Sequence, residues 1–477
     1  MAALYAIAPR KLRNAALLLG SLFFYAWGEP KYVLVMVCQI LPCYVLGLLV
    51  ERYRERRAGQ LLCALSVAVS LSFLIYFKYT DFFLENINAV TGFSLPLIRV
   101  ALPIGISFYT FQMISYTADV YRGEAAQRNL LSLSLYIAMF PQLVAGPIVR
   151  YADLSGQLSE RTHSWDFTAM GIRRFAAGLA KKILLANQLW ALCSAFRASE
   201  EKSVLFYWLY AAASMLYIYF DFSGYSDMAI GLGAIFGFRI PENFRYPFIS
   251  ASITEFWRRW HMSLGSWFRD YVYIPLGGSR AGRGRQMRNI LAVWMLTGFW
   301  HGAAWNFIVW GLLFAVLLVI EKLWLLEQLK RSRVLSRLYV LFFVMASFVI
   351  FQAEGMGQAL ADLAGLFGAG GIPLVSAEAL YALRSSAVIL TVSAVGATPL
   401  PKMAAERIQR GLTGTAKERS RQGFAGTAKE RSRRGFAGTA GSVIAGLAEP
   451  AAILVLLLLV TAYLAGGSFQ PFLYFRF

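Results

Sequence analysis

The sequence predicts an all-α, polytopic membrane protein, and three observations support this fold class. Hydrophobic residues make up 58% of the 477-residue chain and charged residues only 15%, which is far from the balance of a soluble globular domain. Apolar stretches of the roughly 20 residues that a spanning helix needs recur from the first turns to the last. The net charge of +20 is concentrated in short loops beside these stretches, so positive-inside orientation explains it and no nucleic-acid partner is expected.

Several candidate segments are too short or too long for a single crossing, so we expect about ten to twelve membrane segments. In chain order the candidates are residues 14–28, 31–50, 60–79, 97–116, 130–148, 204–236, 290–321, 338–354, 376–396 and 443–465. Residues 166–196 are predicted to form a bent or interfacial helix, because four basic residues interrupt their apolar pattern.

The basic loops predict the orientation of the chain. Residues 52–57, 322–337 and 402–434 are expected to face the cytoplasm. The two crossings at 338–354 and 376–396 keep the last two clusters on one side, as the rule requires. The chain is therefore expected to pass through the bilayer many times.

Composition changes divide the chain into three parts. Residues 1–400 are predicted to form the transmembrane core, residues 401–440 a basic cytoplasmic loop, and residues 441–477 a last membrane helix and tail. The loop contains a twelve-residue unit written twice, at 414–425 and 426–437, and its Gly and charge content predicts a flexible segment without a catalytic role. The four cysteines lack metal-ligand or disulfide spacing, so we expect neither zinc nor a disulfide framework.

Only three histidines occur in the chain, and two of them, His261 and His301, lie forty residues apart in its most unusual stretch. Imidazole titrates near neutral pH and is costly to place among apolar groups without a partner or a task. Each histidine alone is equally consistent with a hydrogen-bonded packing role. Together, flanked by Trp-Arg-Arg-Trp and by Trp-Gly, they favour a functional site.

The first histidine is expected on a helix that begins at a capping box, Ser252 with Glu255, and continues to about Trp267. Helical spacing places Trp257, Trp260, His261 and Leu264 on one face, whereas Arg258 and Arg259 turn aside. This pattern is typical of an interfacial helix, or of one that re-enters the membrane with its histidine directed inward.

The second histidine lies between Gly298 and Gly302, and these glycines suggest room for a substrate chain beside the imidazole. A neutral imidazole in a dry tunnel is a competent general base, worth about 10² to 10⁴ in rate.

Breaks in the apolar pattern at 103–105 and 140–142 suggest a cavity at membrane depth. The arginines at 280–288 suit the phosphates of coenzyme A, although positive-inside charge predicts them equally well. The sequence has no GxSxG, HExxH or Walker motif.

These motifs resemble, in one order over roughly residues 14–320, the membrane-bound O-acyltransferase (MBOAT) family, in the bacterial branch that includes alginate O-acetylases and the D-alanine transfer protein of teichoic acid modification. The matching stretches are 102–112, 115–122, 140–148, 220–227, 242–244, 255–264, 273–278, 300–302 and the tail at 472–477. Members of this branch usually begin with a further helix before the segment matching Arg13-Asn14, so a truncated start is one expectation.

The resemblance implies a ring of helices around a central catalytic tunnel, in which a cytoplasmic acyl donor meets an acceptor from the other face. It matches His301 to the catalytic histidine and His261 to the second one. Trp257, Trp260 and Trp300 are expected to line the tunnel, and Arg258 and Arg259 to hold the helix at the interface or to contact donor phosphates. We expect no bound cofactor or metal.

The expected reaction is transfer of an acyl group, acetyl first among the candidates, from acetyl-CoA or an acyl-carrier thioester to hydroxyls of an extracytoplasmic polysaccharide. The resemblance also implies a location in the bacterial inner membrane and a second, extracytoplasmic transferase as partner. Two alternatives remain open: D-alanyl transfer to teichoic acid, and a transporter or flippase for a polysaccharide precursor that binds its cargo at Asp119, Asp221 and Asp227.

Overall fold

The computed structural model describes residues 1–280, 282–407, 428–467 and 470–472, and every regular element in these ranges is a helix. The α-helices are, in chain order, α1 (Ala2–Ile7), α2 (Arg13–Gly28), α3 (Tyr32–Tyr53), α4 (Arg57–Thr91), α5 (Ile106–Arg122), α6 (Leu130–Ala138), α7 (Phe140–Leu143), α8 (Tyr151–Ser159), α9 (Trp165–Ala180), α10 (Asn187–Ala198), α11 (Val204–Ile235), α12 (Ile253–Trp257), α13 (Met262–Phe268), α14 (Arg283–His301), α15 (Trp305–Ile320), α16 (Leu326–Leu329), α17 (Arg333–Gln352), α18 (Met356–Gly365), α19 (Ala377–Gly396) and α20 (Ala428–Ala465). Short 3₁₀ turns lie at Arg10–Leu12 and Pro247–Ile249, and π-helical segments at Lys181–Ala186, Arg269–Tyr273 and Glu321–Leu325.

Seven helices in the described ranges are long and apolar enough to cross a membrane, which confirms the all-α, polytopic fold class. They are Tyr32–Tyr53, Arg57–Thr91, Val204–Ile235, Trp305–Leu329, Arg333–Gln352, Ala377–Gly396 and Leu447–Ala465. The pair α17 and α19 corresponds to the two crossings predicted to keep the last basic clusters on one side.

Seven is fewer than the ten to twelve segments expected, because several predicted segments are short or broken. The segment predicted at 97–116 becomes helical only at Ile106, after Gly105 takes a left-handed conformation with φ of 77°. The segment predicted at 130–148 is divided into α6 and α7. These two breaks touch, since a Cβ on Gly105 would lie 2.4 Å from the carbonyl oxygen of Leu143.

Helix α11 lies at the centre of the molecule. Of its apolar window 72% is buried inside the protein, against 6% for the last span at Leu447–Ala465. It packs against α9, α10, α17 and α19. Because α11 is covered by protein on most sides, polar groups that it carries face neighbouring segments and not lipid: Asp221 accepts a hydrogen bond from Lys182, and Ser226 accepts one from Asn243.

The helix predicted to be bent at residues 166–196 is interrupted by the π segment between α9 and α10. The interruption contains Lys182, which is 1% exposed and donates a hydrogen bond of 2.5 Å to Asp221 of α11. The same ammonium lies 3.1 Å from the carbonyl oxygen of Pro471 and 4.6 Å from the ring centroid of Phe472. The last described residues of the chain therefore dock against the middle of the fold.

The last predicted membrane segment is helical. Residues 443–465 lie within α20, which is described over Ala428–Ala465, and its apolar span is Leu447–Ala465. Residues 408–427, with the first copy, lie outside the described residues, so the loop boundaries stay predictions.

Candidate active site

The helix expected to run from Ser252 through His261 is broken in two. The capping box forms, since the Ser252 side chain accepts a hydrogen bond from the main-chain N–H of Glu255. However, α12 ends at Trp257 and α13 begins at Met262, and His261 between them has a left-handed φ of 43°. The prediction of one continuous helix with these residues on a single face was therefore wrong. Trp260, His261 and Leu264 are nevertheless all buried.

The side chain of Asn243 explains this unusual conformation. Its Oδ1 accepts hydrogen bonds from the main-chain N–H of Ser263 at 3.2 Å and from the Ser263 hydroxyl at 2.9 Å. The same oxygen lies 3.1 Å from Nδ1 of His261. Because this oxygen only accepts, Nδ1 of a neutral His261 carries the proton and Nε2 presents a basic lone pair. Asn243 therefore selects the tautomer of this histidine.

A buried carboxylate anchors the start of α12. Glu321, which is 1% exposed, accepts hydrogen bonds from the N–H groups of Ile253 at 2.6 Å and Thr254 at 2.8 Å. It also accepts one from the Thr254 hydroxyl at 2.6 Å. A carboxylate at a helix N-terminus satisfies N–H groups that have no intrahelical partner and suits the helix dipole.

The second histidine is the last residue of α14, and its position is fixed through the backbone. Lys78 of α4 donates hydrogen bonds to the carbonyl oxygens of Trp300 at 2.6 Å and His301 at 3.2 Å. The hydroxyl of the next residue, Tyr79, donates to the carbonyl of Phe299 at 2.7 Å. A cation at a helix C-terminus satisfies carbonyls that have no intrahelical donor.

The glycines around His301 do not leave room for a substrate, contrary to the prediction. A Cβ on Gly298 would lie 2.3 Å from the Phe307 carbonyl oxygen, and one on Gly302 would lie 2.2 Å from the Phe307 ring. Gly311 of α15 faces Gly298 with similar closeness. These glycines instead let α14 and α15 approach each other closely, so α15 occupies the space beside the imidazole.

Both imidazoles are buried, His261 at 1% and His301 at 6% exposure, and both pack against Trp300. The ring centroid of Trp300 is 6.3 Å from that of His261 and 4.8 Å from that of His301. Trp310 packs edge-on against His301 at 5.0 Å. Within the described residues, Nε2 of His261 and the indole N–H groups of Trp257, Trp300 and Trp310 are buried without a hydrogen-bond partner. Such a group of unsatisfied atoms is typical of a site that binds a polar ligand.

A cavity of about 580 Å³ opens beside this cluster, and we call it the basic cavity. Its lining includes Trp257, His261, Trp294 and three cationic side chains, Arg258, Arg269 and Lys322. Arg269 is neutralised by Asp270 at 2.7 Å. Among the described residues Arg258 and Lys322 have no ion pair, so the cavity presents positive charge beside the buried imidazole of His261.

Comparison with known protein families identifies the family to which this chain belongs. Residues 23–356 match the model of MBOAT, the membrane-bound O-acyltransferase family. This chain is a membrane-bound O-acyltransferase. The match spans both histidines, α4 with Lys78, and the whole lining of the basic cavity.

Individual relatives agree with this assignment. The chain is 38% identical to a probable alginate O-acetylase of Azotobacter vinelandii over 485 residues, which cover 99% of this chain and 96% of that protein. It is 32% identical to the peptidoglycan O-acetyltransferase of Helicobacter pylori over 391 residues, covering 75% and 74%. It is 33% identical to the teichoic acid D-alanyltransferase of Bacillus subtilis over 234 residues, covering 45% and 58%.

The structure of this O-acyltransferase separates the predicted site residues into three groups. Trp257, Arg258 and His261 line the basic cavity. Trp300 packs against both histidines, and Trp260 lies in an aromatic cluster with Phe244 and Phe256. Arg259 forms an ion pair with Glu255 at 2.8 Å, which suits a role in holding α12. The arginines at 280–288 lie outside the lining of the basic cavity.

Sequence reasoning missed four residues of this site: Lys78, Asn243, Glu321 and Lys322. Lys78 carried the strongest signal, because a lysine inside an apolar helix is costly unless it has partners. Asn243 lay in a stretch that supported the family resemblance, but nothing in the spacing connected it with His261. Among the described residues no group of three His, Cys, Asp or Glu side chains is placed to hold a metal ion.

Proposed function

We propose that this O-acyltransferase moves an acetyl group from a cytoplasmic thioester to hydroxyls of an extracytoplasmic polysaccharide. The relative that the chain matches over nearly its whole length is named as a probable alginate O-acetylase, and a second is named as a peptidoglycan O-acetyltransferase. Both names support acetyl as the acyl group and an envelope glycan as the acceptor.

The observation that carries the proposal is the arrangement of two buried imidazoles around Trp300, one of them opening into the basic cavity. Acyl transfer from a thioester needs a base for the attacking hydroxyl and a place for a donor that is often polyanionic. The imidazoles supply the base, and Arg258 and Lys322 supply uncompensated positive charge for donor phosphates.

In this mechanism His301 removes the proton of the acceptor hydroxyl as the oxygen attacks the thioester carbonyl. The carbon–sulfur bond then breaks, and the sulfur leaves with a proton. His261, which lines the basic cavity, receives the proton from His301 at Nε2 and passes it to the leaving thiolate. One C–O bond forms, one C–S bond breaks, and the proton passes from the acceptor oxygen to the thiol.

The donor is proposed to be acetyl-CoA or an acyl-carrier protein, and the two make different demands on the basic cavity. The 3′- and 5′-phosphates of free CoA need cationic side chains near the cavity, whereas a carrier contributes its own docking surface. Arg258→Gln combined with Lys322→Gln should raise the KM for acetyl-CoA about tenfold or more. Unchanged KM values would indicate a carrier.

D-alanyl transfer to teichoic acid remains the second candidate. It is favoured by the match to the Bacillus subtilis teichoic acid D-alanyltransferase, which covers 45% of this chain. Acetyl transfer is the preferred function because the relatives named as acetylating enzymes match three quarters of the chain or more.

The test is the ester content of the cell-envelope glycans in cells that carry the wild-type protein, His301→Ala, His261→Ala, or no protein. Base-released acetate and D-alanine are quantified separately. The matched control is His163→Ala, because His163 is the third histidine and its Nε2 bonds to Tyr5 far from the site. Loss of acetate in the His301 and His261 variants alone would support the proposal. Unchanged esters with altered export of surface glycan would indicate a transporter.

An inner-membrane location and a second, extracytoplasmic transferase belong to the same proposal. The location is supported by the seven apolar helices of the described residues and by the family resemblance. The partner is supported by the family resemblance alone, and co-purification of a membrane-anchored or secreted transferase with the tagged protein would test it.

A further inference from the structure

A second cavity, of about 790 Å³, lies between helices α10, α19 and α20, and we call it the outer groove. Two of these helices face the lipid, since only 17% of the apolar window of α19 and 6% of that of α20 are buried inside the protein. The outer groove shares no lining residue with the basic cavity. It is therefore a separate feature, at the edge of the molecule and at membrane depth.

The walls of the outer groove are mostly apolar and extend over the depth of one leaflet. On α19 the lining begins at Glu378 and ends at Val392, which are about 21 Å apart along a helix. Half of a bilayer with its headgroups is roughly 20–22 Å thick. The hydrocarbon core holds no water to fill such a gap, so an acyl chain of the bilayer is the occupant that these walls suit. The apolar lining includes Leu184, Leu185, Leu192, Ile389 and Leu459.

Arg384 borders the outer groove, because the helical repeat places it beside Tyr381 and Val388, which line it. Arg384 lies inside the apolar span Ala377–Gly396, is exposed, and forms no ion pair with any described residue. A guanidinium is costly at membrane depth unless its long side chain reaches a partner in the headgroup layer. Phosphate is the headgroup partner that the planar fork of an arginine matches.

The carboxylate of Glu378 lies at one end of the outer groove, six residues before Arg384, which is about 9 Å along a helix. It accepts a hydrogen bond of 2.7 Å from the Ser199 hydroxyl and forms no ion pair within the described ranges. The ammonium of Lys202, in the loop before α11, donates instead to the carbonyl oxygen of Phe196 and lies 4.0 Å from the centroid of that ring. Glu378 and Arg384 together complement a zwitterionic headgroup, which carries an ammonium and a phosphate.

Two uncharged polar side chains line the outer groove between its charged end and its apolar end. They are Gln188 of α10 and Ser386 of α19, and neither side chain hydrogen-bonds to another described residue. Ser386 follows Glu378 by about 12 Å along α19. Amide and hydroxyl groups donate hydrogen bonds, and the ester carbonyls of a phospholipid, which lie between headgroup and acyl chains, accept them. The order of groups along the outer groove is thus the order of groups in a phospholipid.

We propose that the outer groove binds one phospholipid with a phosphatidylethanolamine headgroup. Its primary ammonium donates hydrogen bonds to Glu378, and its phosphate accepts them from Arg384. The methylated ammonium of phosphatidylcholine has no N–H group to donate, and phosphatidylglycerol has no ammonium. An acyl chain fills the space between α10 and α20, so the lipid joins the last described span to the rest of the fold. The proposal is independent of acetyl transfer, because the outer groove lies outside the active site.

Native mass spectrometry of the purified full-length protein tests the proposal. The protein is incubated in dodecyl maltoside with phosphatidylethanolamine, phosphatidylcholine or phosphatidylglycerol, and the retained lipid is counted. We expect the wild-type protein to retain one phosphatidylethanolamine and to bind it at least tenfold more tightly than the other two lipids. Glu378→Gln should abolish this preference, and Arg384→Gln should weaken binding of all three lipids at least tenfold. The control is Glu327→Gln, because Glu327 is exposed and lies outside the outer groove.

A second pair of variants tests the space itself. Ala195 lines the outer groove, whereas Ala387 is exposed on α19 outside its lining. Ala195→Trp should fill the groove and abolish retention of phosphatidylethanolamine, and Ala387→Trp should leave it unchanged. Elution of both variants from a sizing column at the wild-type volume checks that they fold.

Three outcomes would overturn the proposal. The first is a wild-type protein that retains no phospholipid or retains the three lipids equally. The second is equal retention of phosphatidylethanolamine by Ala195→Trp and Ala387→Trp. The third is a membrane protein, in place of lipid, that copurifies with the wild-type chain and is lost from Ala195→Trp, because this would identify a partner's helix as the occupant.

Discussion

The ammonium of Lys78 lies 2.6 Å from the main-chain carbonyl oxygen of Trp300, across 222 residues of sequence. It also reaches the carbonyl of His301, so Lys78, together with the neighbouring Tyr79, holds the end of α14 that carries the proposed base. The backbone of His301 is thereby fixed by a residue that touches neither imidazole.

Replacing Lys78 by Met should lower the kcat for acetyl transfer by about 10²-fold, because a displacement of about 1 Å at a reacting group costs on that order. The KM for the donor should stay unchanged, and Lys78→Arg should recover part of kcat. Steady-state kinetics of the purified protein measure both values. The exposed Lys330→Met is the control, and a KM effect without a kcat effect would contradict a positioning role.

Asn243→Asp should move the acidic limb of the pH–rate profile to higher pH. A carboxylate in place of the amide stabilises the positively charged form of His261, and activity needs the neutral form. Asn243→Leu should instead lower the rate at every pH, because it leaves the tautomer of His261 unselected. A profile for Asn243→Asp identical to that of the wild-type protein would show that His261 is not the titrating group.

Glu321→Gln should destabilise the protein by about 1–3 kcal/mol, because an amide cannot accept three hydrogen bonds with the strength of a carboxylate. Unfolding in mixed micelles measures this free energy. Glu327→Gln is the control, since Glu327 pairs with Lys330 at the surface and such pairs contribute little. Equal effects of the two substitutions would remove Glu321 as the anchor of α12.

Gly298→Ala should separate α14 from α15, because the added Cβ would lie 2.3 Å from the backbone of Phe307. Overpacking of this kind costs about 1–3 kcal/mol. In Gly284→Ala, on the same helix, the added Cβ meets nothing within 4 Å and should be tolerated. Thermal unfolding of the two variants in detergent gives the comparison, and a Gly298→Ala protein as stable as Gly284→Ala would show that the contact yields easily.

The sequence was sufficient for the all-α class, the capping box at Ser252 and the two histidines as a pair. It was insufficient for the break at His261, because helical spacing carries no information about a positive φ that is stabilised by Asn243, eighteen residues away. The contact of Lys78 with α14 depends on tertiary packing, which apolar periodicity does not encode. The prediction that the glycines beside His301 leave room for a substrate failed for the same reason, because only the structure shows that α15 fills the space that they create.

Lys182, buried with Asp221, donates a hydrogen bond to the carbonyl oxygen of Pro471 and packs against the ring of Phe472. A segment 289 residues further along the sequence therefore covers the ion pair at the centre of the fold. Proteolytic cleavage before that segment would expose a buried pair of charges to water and weaken the packing around α11.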